Sequence, residues 1–99
     1  MSSVVVRLKP ARMDPEEMAV HALNYIAIDQ GRLELFLRHT GIEPTAIRQA
    51  AEMPGFMLGV LDYVAVNEWL LLGLSEHIDV RPEAVMHARN ALSPPREFE

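Results

Sequence analysis

From residue 14 to residue 92 the apolar side chains recur every three or four positions, the spacing of one helix face. The residues between these runs predict six helices. Asp14-Pro15-Glu16-Glu17 opens the first. An aspartate at the N-cap can accept from a free backbone N–H, the proline after it needs no partner, and Glu17 sits where the acid of a capping box belongs. This helix extends to about Ile28. Asp29 caps a second, from Gln30 to about His39, and Thr40-Gly41 ends it because glycine takes the left-handed cap conformation without strain. Pro44 opens a third, to about Ala51. Met53-Pro54 breaks the chain there, since a residue before proline avoids helical angles. Pro54 opens a fourth, to about Val66. Asn67 caps a fifth, to about His77. Pro82 opens a sixth, to about Leu92, before Ser93-Pro94-Pro95.

Shifted by 38 residues, the sequence matches itself. Ala22-Leu23-Asn24-Tyr25-Ile26-Ala27-Ile28-Asp29 lies over Val60-Leu61-Asp62-Tyr63-Val64-Ala65-Val66-Asn67. Leu33 falls on Leu71, His39 on His77, and Pro44-Thr45-Ala46-Ile47 on Pro82-Glu83-Ala84-Val85. Eight of the 38 positions are identical without a gap, against roughly two or three for unrelated segments of average composition. Self-similarity at a fixed period signals a repeated supersecondary unit. The expected fold is therefore all-α: six short helices as two three-helix repeats, residues 14–51 and 52–89, packed around a pseudo-twofold axis. Residues 1–13 form a tail, flexible or strand-like at Val4–Leu8, and residues 96–99 fray.

Helical spacing then predicts the core. Leu33, Phe36, Leu37 and Thr40 share a face of the second helix, and Leu71, Leu74, Ser75 and Ile78 are their equivalents in the fifth. Ile47, Ala50, Val85, Ala88 and Leu92 come from the third and sixth. The first and fourth helices are apolar except for one stripe each, Glu17, His21 and Asn24 in one and Gly55, Gly59 and Asp62 in the other. A helix apolar nearly all round belongs in the interior, so these two are expected to form the spine.

Composition narrows the class. Ninety-nine residues make one domain, with no cysteine for disulfides or thiolate metal sites. No stretch is long enough to cross a bilayer and no signal peptide is evident, so the expected compartment is the cytoplasm. Net charge is −5. The first thirteen residues carry Arg7, Lys9 and Arg12 and no acid, and the body after them is acidic. An acidic body repels phosphate backbones, which counts against nucleic acid as a partner.

Phe36-Leu37-x-x-Thr40-Gly41-Ile42-x-Pro44, Gly55-Phe56-x-x-Gly59-Val60-Leu61-Asp62-Tyr63 and Pro82-x-Ala84-Val85-x-x-Ala88 carry a resemblance. Over residues 14–95 the chain is similar to the small bacterial family catalogued as domain of unknown function 3572. The motifs are helix punctuation and core residues. The resemblance implies no activity, cofactor or catalytic residue.

No catalytic set, cofactor site or metal site follows from the residues. His39 and His77 end their helices, where an imidazole suits the negative end of the helix dipole. No short ligand-spaced pair accompanies them. His21 follows Glu17 by four residues and His87 follows Glu83 by four, as ordinary surface pairs do. Tyr25 and Tyr63 are expected to be core tyrosines with hydrogen-bonded hydroxyls. Leu37 to Arg48 resembles a helix-turn-helix, but its exposed set, Thr45, Arg48, Gln49 and Glu52, is a poor reader of a DNA groove.

The halves diverge where Gly31, Arg32 and Glu34 become Trp69, Leu70 and Leu72. These three are either buried, for example under Val4–Leu8, or form an exposed apolar patch that binds a protein partner or a second copy of the chain. The reading best supported is a non-enzymatic interaction module using Trp69, Leu70 and Leu72. The alternative is a small-molecule or signal-sensing domain with a pocket between the repeats; an enzyme comes third, with no nucleophile–base pair to name, and a helix-turn-helix-like DNA binder is also less favoured.

Overall fold

The computed structural model describes residues 13–53 and 55–94. They form α1 (Pro15–Ala27), α2 (Gln30–Thr40), α3 (Ile47–Ala50), α4 (Phe56–Val66), α5 (Glu68–His77) and α6 (Pro82–Leu92), with a 3-10 turn at Pro44–Ala46 leading into α3. No strand occurs among the described residues. Of the expected tail, only Met13 is described, and it packs half-buried against the core. Residues 1–12 and 96–99 lie outside the described residues.

The helix ends follow local chemistry. Asp14 accepts from the amides of Glu16 and Glu17 at 3.2 and 3.3 Å. Asp29 accepts from the amide of Arg32 at 2.9 Å. Asn67 stands at the same place before α5 and does not cap it with its side chain. A carboxylate can only accept, whereas an amide can turn its donor end, and Asn67 Nδ2 donates backward to the Tyr63 carbonyl at 2.7 Å. Gly41 ends α2 at φ 76°, its N–H donating to the Leu37 carbonyl at 2.8 Å. Asp79, at the equivalent position of the second half, holds φ 59°. Beyond it the Val80 amide donates to the Ser75 carbonyl at 2.9 Å, the long-range bond of a Schellman helix end.

The spine is α1 and α4, which supply eight of the thirteen buried apolar residues among those described: Met18, Ala19, Ala22, Ile26, Val60, Leu61, Tyr63 and Val64. They pack on one another, α2 packs on α1, and α5 packs on α4. Burial runs in parallel along them, with Ala22 and Ile26 inside in one half, Val60 and Val64 inside in the other, and Ile28 and Val66 exposed at the ends.

The third helices differ. α6 straddles both spine helices and also packs on α5, burying Val85 and Ala88. α3 packs closely only on the 3-10 turn before it, and none of its residues is buried. Ile47 and Ala50, expected in the core, are half-buried. The difference has two local causes. Pro54 stands where α6 has Leu92, so α3 is stopped early. Arg89 Nε donates to Asp62 Oδ1, an ion pair that ties α6 to α4, and its counterparts are Ala51 and Asn24, which cannot pair. No single described helix is long and apolar enough to cross a membrane, and α4 with α5 reaches that length only as a pair bent by 108°.

Candidate functional site

On α5 the side chains divide by helical spacing. Leu70 and Leu74, one turn apart, are 1% and 0% exposed. Trp69 and Leu72 point the other way, at 53% and 50% exposed. A periodicity near 3.6 separates position 70 from positions 69 and 72 by about a hundred to two hundred degrees. Leu70 is therefore a core residue and is not part of the surface expected to bind a partner. Trp69 and Leu72 are on that surface, with the exposed acids Glu68 and Glu76 at either end. The equivalents on α2 are Gly31 and Glu34, so the apolar stripe exists in one half only.

A second feature lies between the halves. A groove of about 590 Å³ is lined by Phe36, His39 and Thr40 of α2, Ile42, and Phe56, Gly59, Val60, Asp62, Tyr63 and Val66 of α4. At Gly59 an added β-carbon would meet nothing within 4 Å. Tyr63 is 7% exposed, and no hydrogen bond among the described residues involves its hydroxyl. Burial pushes the pKa of that hydroxyl above its ordinary value near 10, so it stays protonated and available to donate.

The tyrosines and histidines meet across the halves. Tyr25 of α1 faces His77 of α5, with ring centroids 5.1 Å apart, and Tyr63 of α4 faces His39 of α2 at 5.0 Å. Each tyrosine takes the histidine of the opposite half. Read position by position, the match at a 38-residue shift contains both pairs; their crossing is invisible in it, because a repeat records equivalence and not contact. The surroundings then differ. Tyr25 is clamped: the Arg32 guanidinium lies 3.9 Å above its ring, Arg32 Nε donates to its carbonyl at 2.9 Å, and its hydroxyl tucks against Gly73. Tyr63 meets Phe36 edge-on at 5.2 Å and opens on the groove.

The remaining chemistry is sparse. Among the described residues no group of three or more His, Asp and Glu is placed to hold a metal ion. Neither Glu17–His21 nor Glu83–His87 closes into an ion pair; Arg89–Asp62 is the ion pair among the described residues. The helix-turn-helix-like segment ends in α3, only four residues long, about 6 Å of helix at 1.5 Å per residue. That is too short to lie along a major groove.

Two comparisons, with curated proteins and with solved structures, returned no match. A family model described as "Protein of unknown function (DUF3572)" matches residues 12–95, which takes in all six helices, the groove and the Trp69–Leu72 stripe. The chain belongs to the DUF3572 family.

Proposed function

We propose that this protein is a non-enzymatic interaction module of the cytoplasm whose contact surface is centred on Trp69 and Leu72. The observation that carries the reading is the exposure of these two side chains, one helical turn apart, on a helix whose inner face is already filled by Leu70 and Leu74. Half-exposed tryptophan with an adjacent leucine is the kind of anchor on which binding energy concentrates. Glu68 and Glu76 flank it, and the chain's net charge is −5. The complementary partner is a protein segment with an apolar stripe and basic side chains around it.

The test is affinity capture from native lysate with the wild type and with Trp69→Ala, alongside sedimentation and thermal melting of both. A basic partner should be retained by the wild type and lost from the variant. Stability should fall by less than about 1.5 kcal/mol, because truncating a fully buried tryptophan costs about 3–5 kcal/mol. Identical captured sets, or a loss of stability in the larger range, would overturn the reading.

A second reading is favoured by the groove between α2 and α4: a domain that senses a small molecule. Its volume falls within the range of about 300–1,000 Å³ usual for such sites. Filling it should raise the melting temperature, and the rise should continue with the logarithm of ligand concentration above Kd. We also read the two halves as copies of one three-helix unit about a pseudo-twofold axis. The crossed Tyr25–His77 and Tyr63–His39 contacts support this, since a twofold relation makes contacts reciprocal.

A further inference from the structure

We propose that the groove between α2 and α4 binds a small neutral aromatic molecule bearing a carbonyl-type oxygen, and that the Tyr63 hydroxyl donates to that oxygen. The proposal deepens the small-molecule reading and rests on it.

The groove has a counterpart in the other half, between α5 and α1, and comparing the two shows how it comes to be open. On its lining stands Gly59, an exposed position, where the counterpart has His21. An imidazole-sized volume is therefore present on one side and missing on the other. Away from the lining, α2 carries the exposed Leu35 where α5 carries Gly73. Gly73 lets α5 close on α1, because a β-carbon there would come within 2.3 Å of the Tyr25 hydroxyl. Phe56 is half-buried at the groove, whereas its counterpart Met18 is fully buried. A glycine inside a helix weakens it, and at position 59 no neighbour needs the room. The space itself is what the residue provides.

The lining selects the chemistry. Phe36, Phe56, Val60 and Val66 offer aromatic and aliphatic walls, and Phe36 already meets Tyr63 edge-on. Tyr63 is mostly buried and lines the groove, and its hydroxyl has no protein partner among the described residues. A hydroxyl uncommitted to the protein is free to donate to an acceptor held in the groove, in place of water. Asp62, the one carboxylate on the lining, is neutralised by Arg89. A charged ligand would enter mostly apolar surroundings in which His39 is the one remaining side chain able to carry a counter-charge, which disfavours it. An aromatic ring with a neutral oxygen acceptor satisfies each of these conditions.

The experiment is a titration of the full chain, isotope-labelled for NMR, with 2-acetylnaphthalene, 2-ethylnaphthalene and 2-naphthoate. The ketone should shift the signals of Thr40, Gly59 and Tyr63 and bind severalfold tighter than the ethyl analogue and the carboxylate. Tyr63→Phe should weaken the ketone about tenfold, the loss of one hydrogen bond, and leave the ethyl compound unchanged. Gly59→Leu, which adds a bulky side chain to the lining, should abolish both while the helical signal and melting temperature are retained. Binding that does not distinguish ketone from ethyl compound, or a Tyr63→Phe effect equal on both, overturns the role given to Tyr63 and leaves the small-molecule reading standing. Tightest binding by the carboxylate overturns the neutral class. Binding that survives Gly59→Leu, or no binding of any of the three by the wild type, removes the groove as a site and the small-molecule reading with it.

Discussion

Asp79 holds φ 59°, a left-handed conformation in which a β-carbon crowds the following carbonyl and which asparagine, aspartate and glycine tolerate best. Its equivalent, Gly41, takes φ 76° at no steric cost. Asp79→Gly should therefore stabilise the protein by about 0.5–1 kcal/mol, read as a higher urea midpoint at unchanged slope. A neutral or lower midpoint would mean that the aspartate side chain contributes something that its backbone angle does not reveal. The same scale shows where residue identity stops being informative. Trp69, Leu70 and Leu72 look alike as large apolar residues in a row. Two of them face outward and one inward because α5 turns through about 100° per residue, and the direction in which α5 meets α4 decides which.

At the scale of elements, two glycines inside neighbouring helices carry opposite expectations. Each should cost about 1 kcal/mol relative to alanine if nothing else changes. At Gly59 a β-carbon meets open space, so Gly59→Ala should stabilise by about that amount. At Gly73 it would strike both the hydroxyl and the ring carbon of Tyr25, at 2.3 and 3.2 Å. That ring is held by Arg32 and His77. Gly73→Ala should therefore destabilise, by about 1 kcal/mol net of the helix-propensity gain. Thermal unfolding of the two variants checks the pair, and a common sign would refute the account. Most element boundaries were legible in advance. Asp14-Pro15, Asp29, Thr40-Gly41 and Pro82 each act through their own backbone geometry and mark helix ends to within about a residue. The predicted third helix was legible only as an opening at Pro44. Its first turn tightened to 3-10 and Pro54 left it too short to reach the spine, which the apolar spacing of Ile47 and Ala50 alone does not reveal.

Across the whole molecule the two halves are coupled through their tyrosines and histidines. Double-mutant cycles on Tyr25–His77 and on Tyr63–His39 should each give a coupling of about 0.5–1.5 kcal/mol, whereas the cycle Tyr25–His39 within one half should give none. Coupling within a half and none between halves would contradict the crossed contacts. The sequence by itself determined what depends on neighbours along the chain: six helical segments, most of their ends, and the buried spine of α1 and α4. Those features arise from backbone angles and from apolar periodicity, which are local. Only the tertiary structure decided which tyrosine meets which histidine, why one third helix docks and the other does not, and that Leu70 is core while Trp69 and Leu72 are surface. The groove belongs to the same class. α5 closes on α1 over Gly73 while α2 and α4 leave open space beside Gly59, and a space between helices is a property of their relative placement, which no single segment encodes.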